Sequence, residues 1–248
     1  MWETLLNFLF PPHCPRCRAY VAQRGAWCPG CLRQTALWLR LALPTGAPLA
    51  AAWAAGHYRG GLRDLIRGLK YQGRRENLPY IRTILETMPA GLRSSLAGTA
   101  SLASVDSETA RTGQRAAAYC GQCTVLTAPV AVPVPLFPAK ERQRGFNQTE
   151  LIFRDWLAAL GIPLVHLLVR TRPTRPQYGL TRTARLANVC GAFALAPDVA
   201  AQLKGRDVLL LDDIFTTGTT ATVCAQCLRR GGASRVVLLA LASDHAAF

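Results

Sequence analysis

The stretch VLLLDDIFTTGTT, residues 208–220, decides the fold that this sequence predicts. Four apolar residues, typical of a short buried strand, lead into two carboxylates, Asp212 and Asp213, and then into a Thr/Gly loop that opens a helical pattern. A glycine pair ends that helix, and a second apolar strand follows over Arg235–Ala242. Strand, loop, helix and strand make a βαβ unit. The sequence therefore predicts an α/β protein with a mostly parallel, twisted sheet and flanking helices.

The loop after the two carboxylates has the composition of a phosphate-binding turn, and it comprises Thr216, Thr217, Gly218, Thr219 and Thr220. Ligands of open α/β sheets bind at the carboxyl ends of the strands, where this loop begins. Its backbone N–H groups and hydroxyls can surround a phosphate, and a helix N-terminus favours negative charge. Asp212 and Asp213 would repel that phosphate unless they bind something else, and ribose hydroxyls, directly or through Mg²⁺, suit them. The pattern predicts a site for a sugar 5′-phosphate with a free diol.

Two other nucleotide-binding signatures are missing from the sequence. No Gly-Lys-Ser/Thr occurs, so the loop is not a Walker A motif, and no G-x-G-x-x-G occurs, so it is not a dinucleotide fingerprint. The remaining alternative is a plain turn with N-capping threonines, which two adjacent carboxylates at the strand end disfavour.

Near the N-terminus, two C-x-x-C pairs are separated by ten residues, a spacing typical of tetrahedral zinc sites with four sulfur ligands. The four residues are Cys14, Cys17, Cys28 and Cys31. With a cysteine at every position, none is left open for a catalytic water, so the predicted role is structural. The alternative is a coincidence of free thiols. We predict a zinc-binding module with its linker over residues 1–50 and one larger domain over residues 51–248.

Composition narrows the classes of function. Of 248 residues 50% are hydrophobic, which excludes a wholly disordered chain. The net charge of +15 favours an anionic partner such as nucleic acid or a phosphorylated metabolite, although a genome rich in Arg and Ala would give the same excess. The longest clean apolar run, Val236–Ala242, is too short to span a membrane, and Leu5–Phe10 is too short for a secretory signal. We therefore expect a cytoplasmic protein without a membrane span.

Three further segments bear on the site. Leu62, Leu65, Ile66 and Leu69 have helical spacing, with Arg63, Arg67 and Lys70 on the other faces as a solvated basic surface or, alternatively, a nucleic-acid stripe. Residues 94–109 are rich in Ser and Thr and predict a flexible loop or insertion. The wider segment 90–125 is either a natural insertion or the product of a reading-frame error. After a strand over Val130–Leu136, a basic loop, Phe137–Gly145, precedes a helix that Asn147 caps.

These motifs together resemble a known family. Residues 208–220 closely resemble the PRPP-binding signature of type I phosphoribosyltransferases. The order of motifs resembles the ComF/GntX family: the cysteine motif, LRDLIRGLKYQG (62–73), VPVPL (132–136), RGFNQ (144–148) and QYGL (177–180). The resemblance extends over most of the chain. It implies the type I phosphoribosyltransferase fold behind a small N-terminal zinc module.

The resemblance also implies roles for matching residues. Asp212 and Asp213 would hold the ribose 2′- and 3′-hydroxyls, and residues 216–220 would bind the 5′-phosphate. Mg²⁺ would accompany PRPP. Pyrophosphate would lie on the loop Pro135–Arg144, whose counter-charges would be Lys140, Arg142 and Arg144. Residues 177–193 would form a mobile loop that closes over the site, and its matching residues are Gln177, Arg185 and Asn188.

Two classes of function remain open. One is an enzyme, a pentosyl-transferring glycosyltransferase that moves phosphoribose to an acceptor that the sequence does not name. The other is a non-catalytic protein that senses PRPP or a nucleotide while its zinc module and basic surface bind DNA or a protein. The family's association with competence predicts a role in DNA uptake and utilisation, with single-stranded DNA or a DNA-uptake helicase as partner. A zinc ribbon that binds DNA beside an idle domain is a third reading, which the intact Asp pair and Thr loop disfavour.

Overall fold

The computed structural model describes residues 9–98, 126–174 and 182–244. Its strands are β1 (Leu39–Arg40), β2 (Ala51–His57), β3 (Val130–Pro133), β4 (Leu168–Arg170), β5 (Phe193–Leu195), β6 (Asp207–Phe215) and β7 (Arg235–Ser243). Five of them form one sheet in the order β1-β2-β7-β6-β3, in which β1 runs antiparallel to β2 and the other pairs are parallel. β4 and β5 form a separate antiparallel pair. The predicted α/β class with a mostly parallel sheet is confirmed.

Helices cover both faces of the sheet, and a 3₁₀ turn (Arg75–Asn77) joins two of them. They are α1 (Pro29–Thr35), α2 (Gly60–Gln72), α3 (Leu78–Glu86), α4 (Ala90–Ala97), α5 (Pro138–Arg144), α6 (Gln148–Ala159), α7 (Arg182–Val189), α8 (Ala200–Leu203) and α9 (Thr219–Arg230). Among the described residues, no helix is long and apolar enough to cross a membrane.

The strands divide the interior into two apolar cores, because successive strand residues point to opposite faces. In β6, Leu209 and Leu211 pack in the core under α2, α3 and α6. Val208 and Leu210 pack in the other core, with α9 and the β4–β5 pair. Both faces of β6 are therefore buried, which is why its sequence reads as a continuous apolar run.

The two helices predicted beside the site both form. Leu62, Leu65, Ile66 and Leu69 are buried on one face of α2, as their spacing predicts. Asn147 caps α6, since its side-chain oxygen accepts the N–H of Thr149 at 3.0 Å. Gly161 follows α6 at φ +66°, a left-handed conformation that glycine adopts without strain.

Several predicted boundaries are wrong. β6 does not end at the carboxylates but continues through Asp212 and Asp213 to Phe215, since it stays paired with β7 along that length. The basic segment 137–145 is not a loop, because Pro138–Arg144 forms α5. Residues 94–97 belong to α4, and residues 99–109 of the predicted loop lie outside the described residues.

The cysteine module packs directly on the helices that lie before the site. Trp27 donates its indole N–H to the carbonyl of Tyr80 at 2.9 Å, and Thr83 donates its hydroxyl to the carbonyl of Gly25 at 3.0 Å. A Cβ on Gly61, in the first turn of α2, would lie 3.1 Å from the Trp27 ring. The module thus shares one apolar core with α2 and α3. The boundary at residue 50 stays a prediction.

Candidate functional site

A cleft of about 660 Å³ lies where β6 ends and α9 begins. From the predicted site it takes Asp212, Asp213, Thr216, Gly218, Thr219, Thr220 and Lys140. The cleft also contains side chains that the sequence analysis did not assign to the site, chiefly Tyr58, Arg63, Arg67, Lys70, Gln148 and Arg170. Tertiary structure therefore brings the carboxylates, the phosphate loop and five cations together in one cleft.

Asp213 is buried and already carries two donors. Lys70 Nζ lies 2.8 Å from its Oδ2, and the two side chains are only 15% and 7% exposed. Gln148 donates its amide N–H to the same oxygen at 2.6 Å, and Arg144 in turn donates to the Gln148 carbonyl oxygen. The Lys70 ammonium offsets the cost of burying the Asp213 carboxylate, because a buried carboxylate is tolerated only when it is paired. Since both contacts use Oδ2, Oδ1 is the oxygen left for a ligand.

Asp212 has different surroundings, although it is the neighbouring residue. Its Oδ1 accepts the backbone N–H of Asp213 at 2.8 Å. Burial, and then the negative charge of Asp213, raise the pKa of Asp212 to about 8, while Lys70 and Arg170 act in the opposite direction. A carboxyl that titrates near neutrality can accept a hydrogen bond from a hydroxyl or bind a cation once it has lost its proton.

The Thr/Gly loop has the geometry that a phosphate site requires. Gly218 is the N-cap of α9 and has φ +72°. A Cβ there would lie 2.8 Å from the Phe215 ring, so the loop needs glycine for both conformation and space. The Thr217 and Thr219 hydroxyls are hydrogen-bonded at 2.8 Å. The first N–H groups of α9 lack intrahelical acceptors and favour an anion.

The predicted pyrophosphate residues do not act as one group. Lys140 lines the cleft, whereas Arg144 is half-buried against Gln148. Arg142 is exposed on α5 and does not line the cleft, contrary to the prediction. The reason is that α5 is helical, so residues two positions apart point to different sides.

The cations that do reach the cleft come from three elements. Arg63, Arg67 and Lys70 extend from α2, and Lys140 extends from α5. Arg170 comes from β4, where its guanidinium lies 5.3 Å from the centroid of the Phe193 ring. Burial lowers the pKa of Lys140, as do the neighbouring Arg144, Arg170 and Lys70. The described part of the cleft is therefore crowded with positive charge.

Sequence reasoning missed Lys70 and Gln148, although both lie in stretches that carry the family resemblance. It placed Lys70 on a solvated basic face, but the side chain is mostly buried against Asp213. Gln148 directly follows the helix cap Asn147, and that position alone indicates only a helix start. Arg170 and Tyr58 gave no signal in the sequence, because their place in the cleft depends on contacts between distant segments.

The predicted mobile loop is described only in part. Gln177 lies outside the described residues. Residues 182–189 form α7 rather than a loop. Arg185 and Asn188 both lie on this helix, and the Asn188 side chain is half-buried. Beyond α7, Val189 and Phe193 are buried in the core. A role for this segment in closing the site stays a prediction.

The four predicted metal ligands do converge. The Sγ atoms of Cys14, Cys17, Cys28 and Cys31 all lie within 4.8 Å of one another. The Cys17–Cys28 Sγ distance is 3.6 Å, close to the edge of about 3.8 Å that a tetrahedron of Zn–S bonds requires. Burial raises the pKa of the Cys14 thiol, but hydrogen bonds from the backbone N–H groups of Cys17, Arg16 and Cys28 outweigh this effect. The net result is a pKa lowered to about 6. The residues fit zinc, and in the described part of the chain they form the one such cluster of cysteines.

Comparison with known proteins agrees with this cysteine cluster and with the motif order. Residues 5–44 match a family model described as a double zinc ribbon domain. Competence protein F of Haemophilus influenzae is 28% identical over 234 residues, which cover 93% of this chain and 84% of that protein. The chain is a homologue of the ComF competence proteins. The structural zinc site predicted from the four cysteines is supported.

Other ComF relatives match over shorter regions. DNA utilization protein YhgH of Escherichia coli K12 is 36% identical over 42% of this chain and 45% of its own length. Competence protein ComFC of Bacillus subtilis is 35% identical over 42% of this chain and 39% of its own length. A solved structure described as the allosteric regulatory enzyme of purine biosynthesis aligns with a TM-score of 0.29 at 23% identity, covering 45% of this chain and 21% of that one.

Proposed function

We propose that this ComF homologue is a phosphoribosyltransferase-like protein that binds PRPP with Mg²⁺ and serves DNA uptake and utilisation. The observation that carries the proposal is the cleft itself. It joins a glycine-bearing Thr loop at a helix N-terminus, two carboxylates of unlike environment and five cations. PRPP offers matching groups: a 5′-phosphate, a diol and a diphosphate.

In this proposal, the loop of residues 216–220 binds the 5′-phosphate and the carboxylates bind the ribose hydroxyls. Asp212 and Oδ1 of Asp213 are the oxygens available for that task. Carboxylate oxygens also fit Mg²⁺, which is held in proteins by one or two carboxylates together with substrate phosphates. When bound, Mg²⁺ supplies neutralisation of the charge on the departing diphosphate.

Transfer of the phosphoribosyl group would build positive charge at the anomeric carbon and negative charge on diphosphate. Asp212 and Asp213 stabilise the former by their position beside the ribose, and the cleft cations stabilise the latter. Recognition without transfer uses the same contacts, so turnover distinguishes an enzyme from a sensor.

Calorimetric titration of Mg²⁺–PRPP into wild-type protein and into Asp212→Asn tests the proposal. We expect saturable binding by the wild type and at least tenfold weaker binding by Asp212→Asn. Asp198→Asn, a change at an exposed carboxylate outside the cleft, is the matched control and should bind like the wild type. No binding by folded, zinc-loaded wild-type protein would refute the proposed ligand. Release of pyrophosphate with a panel of acceptors then decides between transfer and sensing.

The process-level part of the proposal rests on relatives whose names refer to competence and DNA utilization. Deleting the gene in a naturally competent host should lower transformation while leaving DNA binding at the cell surface intact. Normal transformation in the deletion strain would remove this part and leave the PRPP proposal standing.

A single-stranded DNA partner is favoured by aromatic residues on the zinc module. Phe10 and Tyr20 are each 66% exposed, and exposed Arg16, Arg18 and Arg24 lie near them in sequence. Bases stack on exposed aromatic rings, and arginines attract the phosphate backbone. Fluorescence anisotropy with a labelled oligonucleotide should show several-fold weaker binding by Tyr20→Ala. Val169→Ala, at an exposed apolar residue on β4, should bind as the wild type does; equal affinity of all three proteins would refute this partner surface.

A further inference from the structure

A second concentration of positive charge lies at the edge of the sheet opposite the cleft. β6 and β7 run parallel and begin at this edge, whereas the cleft lies where β6 ends. Four exposed cations stand here, two just before β6 and two at the end of α9: Lys204, Arg206, Arg229 and Arg230. These four form the amino-edge patch. Since α9 has 12 residues, the patch lies about 18 Å from the Thr/Gly loop.

Backbone hydrogen bonds hold the two halves of the amino-edge patch together. Gly205 donates its N–H to the carbonyl of Gly232 at 2.8 Å, and Ser234 donates its N–H to the carbonyl of Arg206 at 2.7 Å. A Cβ on Gly232 would lie 3.4 Å from the Cα of Lys204, so the two segments are in contact. The four charges therefore share one surface.

The carboxylate that begins β6 does not neutralise this patch. Asp207 is only 3% exposed, and its Oδ1 accepts the Nε–H of Arg235 at 3.0 Å. Its Oδ2 accepts the backbone N–H of Thr127 at 2.7 Å. Within the described ranges, none of the four patch cations forms a salt bridge with any carboxylate. The patch therefore keeps its positive charge.

Helix stability accounts for only part of this charge. Cations in the last turn of a helix interact favourably with its dipole, which suits Arg229 and Arg230. Arg229 also donates from its guanidinium to the carbonyl of Ala233 at 2.6 Å. Lys204 and Arg206 lie outside α9, and neither role applies to them. Their addition to the helix end points to an anionic partner.

The composition of the patch narrows the class of that partner. All six exposed large apolar side chains of the described residues lie elsewhere: Leu9, Phe10, Tyr20, Leu37, Tyr71 and Val169. The bases of a single strand would thus find no ring on which to stack, and a bilayer would receive no apolar side chain. A DNA duplex keeps its bases inside and presents about one negative charge per 1.7 Å of its axis.

We propose that the amino-edge patch binds the sugar-phosphate backbone of double-stranded DNA. This goes beyond the proposed function, because it uses neither the cleft nor the exposed rings of the zinc module. Refutation of PRPP binding would leave it standing. A duplex held at this edge would leave the cleft at the other edge open.

Fluorescence anisotropy with a labelled DNA duplex at several salt concentrations tests the proposal. We expect the triple variant Lys204→Gln/Arg206→Gln/Arg230→Gln to bind at least tenfold more weakly than the wild type. The slope of log affinity against log salt should become shallower by about 2–3, since each phosphate contact contributes about 0.9. Arg229 is kept because of its bond to Ala233. The matched control removes the same charge from exposed positions outside the patch and should change affinity less than threefold: Arg33→Gln/Arg40→Gln/Arg154→Gln.

A single strand of the same length separates this surface from the zinc module. The patch variant should bind it within threefold of the wild type, whereas Tyr20→Ala should bind the duplex like the wild type. Wild-type protein that does not bind the duplex, or patch and control variants with equal affinity and slope, would overturn the proposal. Equal weakening of single strand and duplex would do the same.

Two further measurements complete the test. Vesicles containing an anionic phospholipid give the membrane alternative: if the patch variant loses vesicle binding but keeps duplex affinity, the patch belongs to a membrane and the proposal is wrong. The three replaced side chains are exposed, so the patch variant should keep the wild-type Tm. If it does not fold, Arg206→Gln alone decides the question, with an expected loss of about 0.9 in the salt slope; an unchanged slope overturns the proposal.

Discussion

At the scale of single residues, Asp212 and Asp213 are neighbours in the sequence but lie in different environments. Strand alternation sends them to opposite faces of β6. Asp213 meets Lys70 and Gln148, whose helices α2 and α6 cover one face. The pKa of Asp212 is raised by burial and by the charge of Asp213, and Lys70 and then Arg170 of the β4–β5 pair act in the opposite direction. The pair is therefore divided into one carboxylate neutralised by a lysine and one that titrates near neutrality.

This division predicts an unusual dependence of stability on pH. Because the pKa of Asp212 is raised to about 8, the folded protein keeps a proton that the unfolded chain releases near pH 4. The free energy of unfolding should therefore fall as the pH rises from about 4 to about 8, and then level off. Asp212→Asn cannot ionise and should lose this slope, becoming more stable than the wild type at about pH 8 by roughly 1–3 kcal/mol.

Urea denaturation at about pH 5, 6.5 and 8 measures that slope. Asp198→Asn replaces an exposed carboxylate and should keep the wild-type slope. Parallel pH profiles for Asp212→Asn and the wild type would contradict the assignment of the raised pKa to Asp212.

At the scale of elements, the turn between β6 and α9 determines whether a phosphate can be held. Gly218 has φ +72°, and the Phe215 ring occupies the space that a Cβ would need. No other residue type meets both constraints. The sequence predicted this turn because strand, glycine and helix are contiguous. Here local pattern and observed geometry agree.

Gly218→Ala should therefore be costly in two ways. We expect a loss of about 1–3 kcal/mol in the free energy of unfolding and at least tenfold weaker binding of PRPP and of ribose 5-phosphate. Gly161→Ala is the matched control, since Gly161 also has a positive φ but nothing within 4 Å of the added Cβ. It should lose about 1 kcal/mol of stability with unchanged affinity. Equal affinity of both variants would show that the turn does not hold phosphate.

The start of α6 is a second element on which the site depends. Asn147 is buried, accepts the N–H of Thr149 and donates to the carbonyl of Val134 at 3.2 Å. It thereby fixes Gln148 opposite Asp213. Asn147→Ala should lower the free energy of unfolding by about 1–3 kcal/mol. Asn147→Asp keeps the cap acceptor and should recover part of that loss in thermal or urea unfolding; no difference between the two variants would contradict the capping role.

At the scale of the whole molecule, the zinc module serves as part of the core. Trp27 and Cys31 pack in the cluster that contains α2 and α3, and Cys28 is the N-cap of α1, where its Sγ accepts the N–H of Cys31 at 3.4 Å. A module that was joined to the rest of the protein only by a flexible linker would not share an apolar cluster with it. The module therefore packs against α2, the helix that carries Arg67 and Lys70 into the cleft.

Removal of zinc should consequently affect more than the module. Chelation should lower Tm by about 10 °C or more and weaken PRPP binding. Hydrogen exchange should show lost protection in α2 and α3 before β6 and β7, whose hydrogen bonds are at the centre of the sheet. Cys190→Ser, at an exposed cysteine outside the cluster, should keep its zinc and its Tm. Loss of protection confined to residues 9–40 would show that the module is independent.

The sequence by itself determined what depends on neighbouring positions along the chain. The apolar run, the carboxylates and the Thr/Gly loop are contiguous in 208–220, and each C-x-x-C pair sets its own turn. The mostly parallel sheet and the cysteine cluster followed from such local patterns. Periodicity also predicted the buried face of α2.

Only the tertiary structure decided which charges meet in the cleft. Lys70 and Asp213 are 143 positions apart, and no periodicity relates them. Cations of α2 and β4 line the cleft, whereas Arg142 is exposed outside it, because packing of an apolar face fixes where the opposite face of a helix points. Local sequence sets the conformation of each element, whereas long-range burial sets which polar groups are left facing one another.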